Sequence, residues 1–187
     1  MLNTLAGIIA SSGGAAAAGS YESIATVTVG AGGTSNISFT SIPSTYQHLQ
    51  IRWIARNSSI SGANNYNMTF NNDTASNYAV HDLYGNGSTA AAQASSSRAN
   101  IWTTFVPGSG ATANAFAAGV LDILDYKDTN KYKTARHLQG YDLNGSGEVR
   151  LTSGLWQSTA AINRIDIGLS SPTYVQYSSF ALYGIKG

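Results

Sequence analysis

The chain contains no cysteine. A disulfide framework, a zinc–thiolate centre and a cysteine nucleophile are excluded together, so stability has to come from packing and association. Charge is nearly as scarce. Only 10% of the 187 residues are Asp, Glu, Lys or Arg, against about a quarter in an average soluble domain. The formal net charge is +1, which leaves no electrostatic footprint for nucleic acid or an anionic membrane and little self-repulsion to hold copies apart. No run approaches the ~18 apolar residues that a membrane-spanning helix needs. The opening apolar run, residues 5–10, is too short for a signal-peptide core and follows no Lys or Arg, so no secretory leader is expected.

Groups that carry chemistry are also few. The histidines are His48, His81 and His137; none shares the spacing of a metal-binding helix, and no G-x-S-x-G elbow occurs. "YGNGST" lacks the third glycine, the Lys and the strand-to-helix setting of a phosphate cradle. In "DLNGSG", Asp142, Asn144, Ser146 and Gly147 fall at the first, third, fifth and sixth positions of a calcium loop, but the twelfth is Ser153, not the bidentate Glu. Asn144-Gly145 reads more simply as a hairpin turn. Asp122, Asp125 and Asp128 cluster in "LDILDYKD". Asp122 and Asp128 on one strand face would make a glycosidase pair; with Lys127, Lys131 and Lys133 close behind, a charged strand end is the plainer reading. The basic run Lys127, Lys131, Lys133 and Arg136, with Tyr126 and Tyr132, likewise reads as a solvated strand face and not as a nucleic-acid patch. No catalytic, cofactor-binding or metal-binding residue is expected.

What the chain does have is alternation. The period is two in "IATVTV" (Ala25, Val27, Val29), "ISFT" (Ile37, Phe39), "HLQIRWIAR" (Leu49, Ile51, Trp53 and Ala55 against His48, Gln50, Arg52 and Arg56), "NYNMTFNN" (Tyr66, Met68, Phe70) and around Ile165, Ile167 and Leu169. This is the signature of half-buried strands. "NIWTTFV" and "FAAGVLDIL" are apolar on both faces and read as central strands. With turn signals between them, about nine or ten strands are expected. The predicted fold is all-β, an antiparallel β-sandwich of jelly-roll type. "STAAAQASSSRAN" reads as a short helix or a long surface loop. The closing "SSFALYGIKG" reads as a last strand covered on both faces, with Phe180 and Leu182 on one side and Ala181, Tyr183 and Ile185 on the other.

Composition changes near residue 20. Residues 1–20 are Ala-, Gly- and Ser-rich around an apolar knot of Leu2, Leu5, Ile8 and Ile9 at roughly helical spacing. They are expected to be a docking arm, and residues 21–187 the β-sandwich domain. The 11 Tyr, 5 Phe and 3 Trp serve a core, an interface or a glycan-stacking platform.

Several blocks, "VTVGAGGTSNISFTSIPSTYQHLQIR", "FNNDTASNYAVHDLYGNG", "DILDYKDTNKYKT", "SGLWQSTAAIN" and "SSFALYGIKG", resemble a family of small virion structural proteins of tailed bacteriophages of aquatic bacteria. The resemblance spans residues 21–187, and the opening "MLNTLAGIIASSGG" is similar to the starts of stand-alone members. It implies a non-enzymatic structural protein on the outside of the phage particle. The first expectation is a tail-associated fibre or adhesion protein, a homotrimer anchored to other virion proteins by Leu2, Leu5, Ile8 and Ile9. Its host-facing contacts, to a surface glycan, would lie in loops at residues 84–100 and 107–115. The alternatives are a head decoration or cement protein and, from another class, a tail-borne glycan hydrolase.

Overall fold

Twelve antiparallel strands form two sheets in a computed structural model that describes residues 19–60, 64–169 and 171–187, without the side chains of residues 103 and 104. The arm residues Leu2, Leu5, Ile8 and Ile9 lie outside the described residues. The strands are β1 (Tyr21–Thr28), β2 (Asn36–Phe39), β3 (His48–Ala55), β4 (Asn64–Phe70), β5 (Tyr78–Gly85), β6 (Ala90–Arg98), β7 (Ile101–Val106), β8 (Ala117–Leu124), β9 (Lys133–Asp142), β10 (Gly147–Trp156), β11 (Ile165–Leu169) and β12 (Ser179–Ile185). The large sheet runs β1-β12-β3-β8-β9-β10-β5-β6 and the small one β2-β11-β4-β7.

The order contains a jelly roll with two insertions. When the hairpins β5–β6 and β9–β10 are set aside, eight strands remain. In chain order, the first, eighth, third and sixth lie side by side in one sheet, and the second, seventh, fourth and fifth in the other. That is a long hairpin wound over itself, the jelly-roll winding. Both inserted hairpins extend the large sheet, so eight strands face only four. The β9–β10 hairpin turns on Asn144 and Gly145, both at positive φ (61° and 114°). This is the two-residue turn that Asn-Gly favours, and it leaves Asp142 opposite Gly147.

The core lies where the small sheet covers the large one. Leu49, Ile51 and Ala55 of β3 pack against Ile37 and Phe39 of β2, Met68 and Phe70 of β4, and Ile165 and Ile167 of β11, all at most 3% exposed. Trp53 stacks on Phe180 at 6.1 Å, and Tyr174 meets Phe180 edge-on at 5.1 Å. In β1 a bulge between Ser23 and Ala25 resets the alternation, so Ile24, Ala25 and Val27 all reach the core edge.

Several expectations change: there are twelve strands where nine or ten were expected, and β7, read from the sequence as central, is an edge of the small sheet. "STAAAQASSSRAN" is neither helix nor loop: Ala90–Arg98 is strand β6, paired with β5. Small residues on an edge strand, exposed on both faces, give no alternation to read. The closing strand β12 lies between β1 and β3. Phe180 and Leu182 are fully buried, but Ala181, Tyr183 and Ile185 are only half-buried, with the Arg52 guanidinium 5.7 Å from the Tyr183 ring. The stretch 107–115 is a loop pinned from within. The Arg56 guanidinium, assigned from the sequence to a polar strand face, is 7% exposed and donates to the carbonyls of Ala111, Thr112 and Ala115.

Gly184 shows how tightly β12 is seated. A Cβ there would lie 2.2–2.4 Å from ring atoms of Tyr46, whose hydroxyl donates to Glu22 at 3.0 Å. Gly184→Ala is expected to displace that ring and cost roughly 1–3 kcal/mol. The result should be a melting temperature lower by several degrees in a thermal scan; an unchanged value would show that the ring moves freely.

Candidate functional site

Over part of β5, β9 and β10 the usual alternation is inverted, while Tyr78, Val80, Ala135 and Trp156 on the same inward face belong to the core. One-sided antiparallel sheets normally turn apolar residues inward and polar ones to solvent. Here Asp82, His137, Gln139, Glu148, Arg150 and Thr152 point inward and are at most 8% exposed. Their neighbours Leu83, Leu138, Val149 and Leu151 point outward, at 57%, 56%, 60% and 43% exposure. The strands concerned are those that the insertions add beyond most of the small sheet; its edge strand β7 lies over them, and β4 reaches them through Tyr66 and Phe70. Two surfaces result.

The inner surface is a cleft of about 370 Å³ between the sheets. Arg150 holds its floor together, donating through Nη1 to Asp82 Oδ2 at 3.1 Å and through Nε to Glu148 Oε1 at 2.8 Å. Gln93 Nε2 donates to the same Asp82 oxygen at 3.0 Å. The Arg150 guanidinium lies 4.4 Å from the Tyr84 ring and 5.4 Å from that of Phe105. Arg98 stacks on Trp102 at 4.1 Å. Burial opposes the charge on Arg150, but its bond to Glu148 and the fields of Glu148 and Asp82 outweigh that and raise its pKa. Three lining or flanking atoms are buried without a partner: Asp82 Oδ1, Trp102 Nε1 and Arg98 Nε. The rim, at Asn65 and Gln93, is open to solvent.

Next to the cleft sits His137. Its Nε2 is 3.0 Å from Trp53 Nε1 and 3.2 Å from the Tyr66 hydroxyl. An indole N–H can only donate, so Nε2 accepts and the ring is neutral, with its hydrogen on Nδ1. Burial lowers its pKa to about 3.

The outer surface is apolar. Val120, Leu138, Leu151, Leu83 and Ala92 stand opposite one another in unbroken register across β8, β9, β10, β5 and β6. A second row runs Ala118, Gly140, Val149 and Gly85. Arg52 continues the first row on β3, and Asp122, Arg136, Ser153 and His81 form a polar row on the other side.

The aspartate cluster does not form a site. Asp122 lies on the outer face of β8 and pairs with Gln50 and Arg136. Asp125 and Asp128 lie in the β8–β9 connection, both held by Lys131, so Asp122 and Asp128 do not share a strand face. Lys133 departs from the predicted solvated face: it is 1% exposed and donates to the carbonyls of Asp128, Lys131 and Thr159. Residues 84–100 include most of the β5–β6 hairpin and contribute Tyr84 and Gln93 to the cleft. Among the described residues no group of three or more His, Cys, Asp or Glu is placed to hold a metal ion.

No protein-family model matches the chain, and neither a curated protein nor a solved structure matches it.

Proposed function

We propose that the chain is a non-enzymatic structural component on the exterior of a tailed-phage virion, a tail-associated fibre or adhesion protein whose copies join through the outer face of the large sheet into a homotrimer. One observation carries the association: four large apolar side chains, Val120, Leu138, Leu151 and Leu83, stand in register on a solvent-facing sheet and are 38–57% exposed. Contiguous exposed apolar surface of this kind marks an interaction site. The shortage of charge supports contact between like copies, because little repulsion has to be overcome. The virion assignment rests on the sequence resemblance. The arm, through Leu2, Leu5, Ile8 and Ile9, is the proposed anchor to other virion proteins. The separate ion pairs of Asp122 and Asp128 favour this reading over the hydrolase.

The test is a double change, Leu83→Glu with Leu138→Glu, followed by light scattering and particle incorporation. Wild type should scatter as three chains, and the variant as one chain with a nearly unchanged melting temperature, since both side chains are more than half exposed. A monomeric wild type, or a variant that still trimerises, overturns the association. Hundreds of copies on each particle would replace the tail fibre with a head decoration protein.

A further inference from the structure

The cleft beneath β7 lies on the opposite face of the sheet from the proposed oligomer contact, so both can be occupied together. We infer that it binds one neutral sugar unit of a glycan, with Asp82 Oδ1 accepting from a ligand hydroxyl and Trp102 Nε1 donating to one. This deepens the adhesion reading, and rests on it only for whose glycan is bound.

The chemistry of the lining selects the ligand class. Asp82 is 5% exposed and uses one carboxylate oxygen on Arg150 and Gln93; the other, Oδ1, has no partner. Trp102 Nε1 is a buried donor with no partner. A buried acceptor and a buried donor left unpaired in two residues that line one cleft are costly, and a ligand that reaches them by a small side-chain rotation and offers both kinds of group removes the cost. An apolar ligand would leave both unpaired. A small anion would meet the carboxylates of Asp82 and Glu148, both of which line the cleft. A cation would be repelled by the Arg150 guanidinium, which sits between both carboxylates and against the Tyr84 and Phe105 rings. A neutral polyol both donates and accepts through its hydroxyls. The cleft's volume of about 370 Å³ falls in the range of about 300–1,000 Å³ typical of small-molecule sites. The exposed rim at Asn65 and Gln93 leaves a path for the rest of the glycan chain.

The experiment uses the purified full chain and ligand-observed NMR with glucose, galactose, mannose and N-acetylglucosamine, with choline and acetate as cationic and anionic controls. Trp102→Phe keeps an aromatic ring beneath Arg98 and removes the donor together with part of the indole, so the melting temperature is read alongside binding. Gln93→Ala changes the rim on an exposed strand. Saturable binding of at least one sugar is expected, without binding of choline or acetate. That binding should weaken about fivefold in Trp102→Phe, the worth of one hydrogen bond, with unchanged circular dichroism. The inference is overturned if no sugar binds, if a control ion binds in its place, or if both variants bind as wild type. Trimer mass and particle incorporation are measured on the same samples. A loss of sugar binding that leaves them intact counts against the cleft alone, and the reverse counts against the oligomer alone.

Discussion

Lowering the pH from about 6.5 to about 4 should remove roughly 3 kcal/mol of stability through one residue, His137. In the unfolded chain a histidine takes up its proton near pH 6.5. In the folded protein, burial of the ring lowers that value to about 3. Between the two, the unfolded state holds a proton that the folded state does not. Stability therefore falls as the pH falls, by about 1.4 kcal/mol per pH unit. The contribution is fully present above about pH 6.5 and is lost progressively down to about pH 3. Structurally, protonation at Nε2 would point a hydrogen at the indole N–H of Trp53, 3.0 Å away. Denaturant titrations across this range, repeated on His137→Gln, provide the check. The variant should be less stable at neutral pH but should lose much less on acidification. An equal slope in both proteins would assign the acid sensitivity elsewhere. Below about pH 4 the carboxylates of Asp73 and Asp166 act in the same direction. Burial opposes their charge, but hydrogen bonds from Asn77 and Trp156 to Asp73, and from Arg164 and Ser38 to Asp166, hold their pKa values below the usual range.

Arg150→Met should be still more damaging. Arg150 is 4% exposed and is the cation shared by Asp82 and Glu148, themselves 5% and 8% exposed. Removing it leaves two buried carboxylates facing each other, and breaking a buried ion pair costs about 3–5 kcal/mol. The loss should appear as a lower denaturation midpoint with an unchanged slope. A triple variant, Arg150→Met with Asp82→Leu and Glu148→Leu, should recover most of it, because apolar groups of similar size commonly replace a buried ionic cluster without loss. The triple variant would then be stable and unable to bind sugar, which separates the cluster's role in the cleft from its role in folding. If Arg150→Met unfolds within 1 kcal/mol of wild type, the cluster is more hydrated than its burial indicates.

The fold was largely legible in the sequence, because alternation survives in β2, β3, β4 and β11, and their apolar residues other than Ile54 face the core. The cleft was not, for a specific reason. The strings "HDLYG", "RHLQG" and "EVRLTS" alternate clearly, but alternation defines two faces without saying which is inside. Assigning the apolar face to the core is the natural choice, and for Leu83, Leu138, Val149 and Leu151 it is wrong. A signal was present: His81–Asp82–Leu83, His137–Leu138–Gln139 and Glu148–Val149–Arg150 place polar residues at the positions that turn inward. Only the unequal sizes of the two sheets show why those positions had to be polar. Lys133 and Arg56 misled for a related reason, since a cation whose charge is met by backbone carbonyls leaves no partner to find in the sequence.

The place of β12 also governs when the protein can fold. The strand is hydrogen-bonded between β1 and β3, and Thr28 and Ser179 pair across 151 positions. The inserted β9–β10 hairpin needs only its own turn to form. The large sheet, by contrast, keeps a gap one strand in from its β1 edge until the last of the twelve strands has been synthesised. During translation β1 and β3 wait with open edges, and long-range closure of this kind is slow and prone to pairing between chains. A nascent chain stalled before residue 179 therefore presents two unpaired strands to its neighbours, and release of the final segment is what ends that exposure.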